Sequence, residues 1–300
     1  MYLRHFGLRE FPFSITPDTS FFFGSGASQE ALNTLVVAIR MGEGFIKITG
    51  EVGTGKTLLC RKLMASLEGD EYTVAYIPNP YLDPVALFIE LSAELGIAQA
   101  EGAPNQHQLL RGLNERLLAL TREGRKVVIC LDEVQAMPIE TLEALRLLTN
   151  LETEKRKLIQ VVIFGQPELE AKLNHSAIRQ LKQRITFHYH LQPLSGPELS
   201  YYLHHRLVVA GYQGGPVFTT AATWLLERKT RRVPRLVNIV AHKSLLSAFG
   251  KGARRVTVFD VLAASNDTDS TRTAPSWRLR GLFFLVLAGC AASLAWIHFQ

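Results

Sequence analysis

The chain has 300 residues, 47% of them apolar and 20% charged. That balance excludes a disordered or fibrous polypeptide and suits an α/β domain with a smaller appended one. The net charge of +6 is uneven: residues 1–175 hold 17 Lys/Arg against 22 Asp/Glu, and residues 176–300 hold 16 against 5. A basic second half of this kind attracts nucleic acid or anionic lipid. Cys60, Cys130 and Cys290 have no metal-ligand spacing and are too few for a disulfide framework, so a reducing cytosol is expected for the bulk of the chain.

The opening run MYLRHFGLREFPF lacks the unbroken apolar core of a secretory signal. Phe6, Phe11, Phe13 and Phe21, Phe22 and Phe23 surround a Thr16-Pro17-Asp18 turn. An aromatic segment like this, residues 1–30, either clasps the sheet or wraps over the edge of a bound base. Four nearly continuous Val/Ile-rich runs follow, at 45–50, 73–77, 126–132 and 157–165. They predict parallel strands buried on both faces, and a fifth run, 185–191, alternates. Helical spacing fills the gaps: LLCRKLMASL, DPVALFIELSAELG, QHQLLRGLNERLLALTREG and PIETLEALRLLTNL. In the second of these Asp83 reads as the N-cap, Pro84 as the first turn and Gly96 as the stop. Strand–helix alternation predicts a doubly wound, three-layer parallel-sheet core over 31–192.

Beyond residue 192 the pattern is helical throughout. LSGPELSYYLHHRL opens with a capping box, Ser195 to Glu198, and VTVFDVLAA with a similar one, Thr257 to Asp260. With TTAATWLLERK and RLVNIVAHKSLLSAF between them, residues 193–263 read as a small helical domain. A polar and basic linker is expected over 264–280. The last stretch, GLFFLVLAGCAASLAWIHFQ, carries no charge. Twenty helical residues span roughly 30 Å, about one hydrocarbon core. Trp277 and Trp296 stand near its two ends, and Arg272, Arg278 and Arg280 precede it. These features predict one transmembrane helix over 281–299, with the preceding domains in the cytoplasm.

Gly50, Gly55, Lys56 and Thr57 satisfy G-x-x-x-x-G-K-[ST] between a strand and a helix. Glycines let backbone N–H groups approach a phosphate, and the helix N-terminus adds partial positive charge. The predicted nucleotide contacts are Gly50, Glu51, Val52, Gly53, Thr54, Gly55, Lys56, Thr57 and Leu58. Lys56 would reach the β- and γ-phosphates of ATP, and Thr57 with Asp132 would hold Mg²⁺. Asp132 ends the strand VVICLD, and Glu133 after it would orient the attacking water. An alternative is that both acids merely cap the next helix. Gln166, following the strand LIQVVIFG, would meet the γ-phosphate. Arg184, or Arg179 in its place, would act as a finger on a neighbouring subunit, and Arg235 would fold back on the nucleotide from the small domain. A loop glutamine and ion-paired arginines are the plainer alternatives. His188 and His190 share a strand face, and His204 and His205 are adjacent, but no carboxylate or cysteine accompanies them for a metal.

Taken together, YLRHFGLREFPFSITPDTSFFF, GFIKITGEVGTGKTLLCRKL, VVICLDEVQAM, VVIFGQPEL, LKQRI and VPRLVN resemble the AAA+ ATPases of the ExeA (general secretion protein A) type, and most of all those of MSHA pilus biogenesis. The resemblance covers about residues 1 to 263 and the tail. It implies a P-loop AAA+ core, a helical lid, ATP hydrolysis and a homo-oligomeric ring, a hexamer among the possibilities. It also implies service to an MSHA-type IV pilus or a type II secretion complex at the bacterial inner membrane. Family members continue into a peptidoglycan-binding domain, which is not carried over here. Two other readings stay open: a DNA-acting ATPase of the transposition or replication type, against which no recognition helix is evident, and a nucleotide-gated scaffold with little hydrolysis.

Overall fold

The computed structural model describes residues 2–97, 105–149, 151 and 157–271. Along the chain run α1 (Tyr2–Phe6), α2 (Gly26–Met41), β1 (Phe45–Gly50), α3 (Lys56–Ser66), β2 (Tyr72–Ile77), α4 (Pro84–Glu94) and α5 (Gln106–Arg122). Then come β3 (Lys126–Leu131), α6 (Ile139–Leu148), β4 (Ile159–Gly165), α7 (Glu168–Leu173), α8 (Arg179–Arg184) and β5 (Phe187–Leu191). Four helices follow: α9 (Gly196–Val209), α10 (Thr220–Thr230), α11 (Pro234–Gly250) and α12 (Val258–Asn266).

The sheet order is β2-β3-β4-β1-β5, with every pairing parallel. β4 is thus inserted between β1 and β3, the two strands that carry the predicted phosphate and magnesium residues. β1 and β4 are buried along their whole length. Their alternate residues feed two layers: Phe45, Val161 and Ile163 pack with Phe88, Leu113 and Leu145 on one face. Ile46, Ile48 and Val162 pack with Leu35 and Leu63 of α2 and α3 on the other. β5 is an edge, which explains its alternating sequence: His188 and His190 are exposed while Leu191 is buried.

The predicted caps form. The Asp83 carboxylate accepts from Ala86 N–H at 2.8 Å, and Gly96 takes φ +70° at the helix end. Ser195 and Glu198 close the capping box of α9. Glu198 does more than its sequence position suggests. Its second oxygen accepts from Gly26 N–H at 2.7 Å, so a lid side chain also satisfies the start of α2 in the core.

The aromatic arm packs on the lid. Tyr2, Phe6, Phe13 and Phe21 share a buried cluster with Leu199, Leu203, Leu226, Val240 and Leu245 of α9, α10 and α11. Arg206 of α9 fastens it. Its guanidinium lies 4.4 Å over the Phe21 ring, Nε donates to Pro12 O, and Nη2 donates to Ser14 O at 3.0 Å. On the core side, Arg61 of α3 donates to Pro17 O at 2.6 Å. The arm therefore ties the lid to the phosphate-loop helix.

Two expectations for the C-terminal region need correction. The linker does not begin at 264: α12 runs to Asn266, and the Thr268 and Thr271 hydroxyls bond back to Ala264 O and Ser265 O. The single-pass inner-membrane placement is overturned, because among the described residues no helix is long and apolar enough to cross a membrane. The predicted span, 281–299, and the linker from 272 onward lie outside the described residues.

Candidate functional site

The site lies at the C-terminal ends of β1, β3 and β4. β1 ends at Gly50, where a Cβ would stand 2.8 Å from Thr54 Oγ1 and 2.9 Å from Leu191 O. Only glycine lets the loop and β5 come so close. The loop then turns through Gly53 and Gly55 at φ +83° and +103°, a region L side chains avoid. The Thr54 hydroxyl pins the turn by donating to Glu51 O at 2.9 Å. Gly55 begins α3 with no side-chain cap, which leaves first-turn N–H groups available to an anion.

Lys56 folds back over this loop. Its ammonium donates to Gly50 O at 2.8 Å and Glu51 O at 3.0 Å, and the residue is 4% exposed. Burial pushes its pKa down, and the carboxylates of Glu133, Asp132, Glu51 and Glu168 offset only part of that. The Thr57 hydroxyl donates to Asp132 Oδ2 at 2.6 Å, joining α3 to the end of β3. Burial pushes the Asp132 carboxyl up, against the hydrogen bonds from Thr57 and from Glu133 N–H. The half-buried Thr57 hydroxyl paired with the buried Asp132 carboxylate, beside a buried ammonium, fits an Mg²⁺–triphosphate, whose charges would compensate the two ions that burial disfavours.

Glu133 sits at φ +54°, a left-handed conformation rare for a glutamate. Its Oε2 accepts from the side-chain amides of Gln135 and Gln166, the latter at 3.0 Å. Gln135 Oε1 in turn accepts from Gln166 N–H at 2.9 Å. The network brings together the ends of β3 and β4. Sequence reading found Glu133 and Gln166 but missed Gln135, whose signal was an amide two residues past Glu133.

Arg235 comes from the lid to the loop. Its backbone N–H donates to Gly53 O at 3.1 Å, and a Cβ on Gly53 would meet its own Cβ at 2.5 Å. Arg184 is held by α6, donating to Thr149 Oγ1 at 2.8 Å, whereas Arg179 is exposed at the start of α8. A small cavity of 50 Å³ opens beside Thr54, Gly55 and Leu58, lined also by Phe22, Phe23 and Tyr202. The arm thus lies next to the loop as well as on the lid. His188 and His190 both pair with the Thr49 hydroxyl, at 3.2 and 3.0 Å. Among the described residues no His/Cys/Asp/Glu group is arranged for a metal.

A family profile described as an AAA domain matches residues 39–173. The chain is 38% identical, over all of its 300 residues, to the general secretion pathway protein A of Aeromonas hydrophila, and it spans about half, 54%, of that relative's length. The ORC2 protein of Aeropyrum pernix, solved in ADPNP–ADP complexes, matches with a TM-score of 0.62 at 18% identity, over 86% of this chain and 73% of that one. The RuvB Holliday junction branch migration motor of Thermotoga maritima matches with 0.55 at 17% identity, over 85% and 73%. With the sheet order and the phosphate loop, these likenesses establish a P-loop AAA+ fold bearing an AAA domain, similar along its whole length to a general secretion pathway protein A.

Proposed function

We propose that this chain is a magnesium-dependent ATPase serving a general-secretion-type envelope machine, with an MSHA-type IV pilus as the finer reading. One observation carries the enzymatic part: Lys56, Thr57, Asp132 and Glu133 converge at one loop, with Lys56 and Asp132 buried against the preference of their charges. Backbone N–H groups of the loop and of the first turn of α3 hold the phosphates. The Lys56 ammonium exchanges its two carbonyl partners for β- and γ-phosphate oxygens. Thr57 and Asp132 would hold Mg²⁺, which supplies charge neutralisation at those oxygens. Glu133 orients the attacking water and receives its proton, and Gln166 contacts the γ-phosphate.

Arg235, carried by the lid onto Gly53, couples nucleotide state to lid position. In a ring of copies Arg184 acts across the subunit boundary. Arg179, exposed on the same helix, is the alternative finger. The partners proposed are further copies of this chain and secretion or pilus assembly proteins. The 38% identity to general secretion pathway protein A and the resemblance of the opening run support the envelope role.

Phosphate release by the purified chain tests the catalytic assignment. Glu133→Gln should retain ATP while turnover falls by roughly a hundredfold or more, the usual contribution of a positioned general base. Robust turnover by that variant would sink the role given to Glu133.

A further inference from the structure

Gln135 touches partners from two strands and has no role in the mechanism above. Its Nε2 donates to the Glu133 carboxylate, and its Oε1 accepts from Gln166 N–H at 2.9 Å. Gln166 closes the circuit, its Nε2 donating to the same Glu133 oxygen at 3.0 Å. Chemistry fixes which way the Gln135 amide points. A backbone N–H can only donate, so the carbonyl end must face Gln166 and the NH₂ end must face the carboxylate. Space for this is tight: a Cβ on Gly165 would stand 3.4 Å from Gln135 Oε1 and 2.7 Å from Leu169 Cδ2. Glu133 meanwhile holds φ +54°, a conformation that surrounding contacts must impose on a glutamate.

We propose that Gln135 is a positioning residue: it keeps the Glu133 carboxylate aimed while Gln166 leaves it for a bound phosphate. The inference rests on the ATPase reading and assigns that site a part it lacks. When the Gln166 amide turns to the γ-phosphate, Glu133 loses one of its two donors. Gln135 cannot follow, because its carbonyl is tied to the Gln166 backbone, which β4 holds in place. One carboxylate oxygen stays anchored and the other is left to accept from water. Without Gln135, no other side chain among the described residues would tether Glu133 once Gln166 has turned away. A carboxylate free to rotate loses the near-attack geometry on which in-line displacement depends.

Steady-state ATP turnover and equilibrium ATP binding of the full chain test this, with thermal unfolding as a check on folding. Gln135→Ala should lower kcat roughly ten- to a hundredfold, the scale of a misplaced reacting group, and leave ATP affinity within about twofold. Gln135→Glu keeps the acceptor for Gln166 N–H but sets a second carboxylate against Glu133. Its kcat should also fall, because the second negative charge pushes the Glu133 carboxylate off its aim, while ATP affinity again stays within about twofold. A merely structural contact would not split turnover from affinity in this way. Unchanged or raised kcat in Gln135→Ala overturns the inference, and so does a loss of affinity equal to the loss of turnover. An inactive wild-type chain would overturn the ATPase reading along with it. An active wild type with an unaffected Gln135→Ala variant would overturn this inference alone.

Discussion

The phosphate-loop end of the sheet and the lid bury a carboxylate in opposite ways. At the loop, Lys56 and Asp132 are almost wholly buried, and burial is the largest influence on each, pushing the lysine down and the aspartate up. In the lid, Asp260 is just as buried. Burial opposes its charge too, but hydrogen bonds from Lys251, Thr257 and Ser247 outweigh that and hold its carboxyl at about 2. Arg206 is served by two arm carbonyls and the Phe21 ring, yet burial still pushes its pKa down. The loop keeps Lys56 and Asp132 under-compensated, which accords with the proposed binding of a polyanion and a cation. The lid matches the charge of Asp260 internally and gains stability from it.

Replacing Lys56 by methionine should break this contrast most visibly. ATP affinity should fall by about 4 kcal/mol, near a thousandfold, the scale of losing one partner of a buried charge contact. The nucleotide-free chain should nevertheless be no less stable, because an ammonium held against its solvation preference is gone. Urea midpoints of the nucleotide-free proteins read the second part. A clear drop in the variant would mean that the Gly50 and Glu51 carbonyls already compensate the lysine, and the contrast would fail.

Arg206→Ala should do the reverse. The carbonyls of Pro12 and Ser14 lose their donor, and the Phe21 ring loses its cation. A loss of about 3 kcal/mol in the lid and arm is expected, given the worth of charged hydrogen bonds. Limited proteolysis of the first 20 or so residues should speed up accordingly. If stability is unchanged, the arm is held by its aromatic burial alone.

The same contrast separates what the sequence discloses from what it hides. The glycine loop was legible because its eight residues lie together between a strand and a helix, and a triphosphate admits few alternatives. Asp132 and Glu133 were legible because an uninterrupted Val/Ile run must end at the sheet's edge. The arm's seat on the lid was not, since Arg206 and Pro12 are 194 positions apart and no periodicity links them. The double duty of Glu198 was hidden for the same reason: its capping box reads locally, while its bond to Gly26 does not. Composition alone misled at 264–271, where polar residues suggested a linker. Thr268 and Thr271 instead turn their hydroxyls onto the backbone and are buried. The span read at 281–299 from its length, its lack of charge, its tryptophans and the preceding arginines lies outside the described residues, and among the described residues no helix is long and apolar enough to cross a membrane.

The smallest effect, and the sharpest in sign, is in acid. Asp260 has a folded-state value of about 2 against an ordinary 3.8, so its ionised form is bound more strongly by the native lid than by the unfolded chain. Its contribution, roughly 1–2 kcal/mol after allowance for screening, is complete above about pH 4. It is lost as pH falls through about 2. Asp260→Asn should therefore be less stable than wild type at neutral pH, and the gap should close between those limits. Asp132 predicts the mirror image. Its folded-state value is raised, so the cost it imposes is absent below the ordinary 3.8 and appears as pH rises past its folded value. Asp132→Asn should accordingly gain stability at neutral pH and lose that advantage in acid. Urea titrations of both variants across this range would give gaps of opposite sign. Two gaps of the same sign would mean that the loop's carboxylate is as well compensated as the lid's, against the direction in which burial moves it.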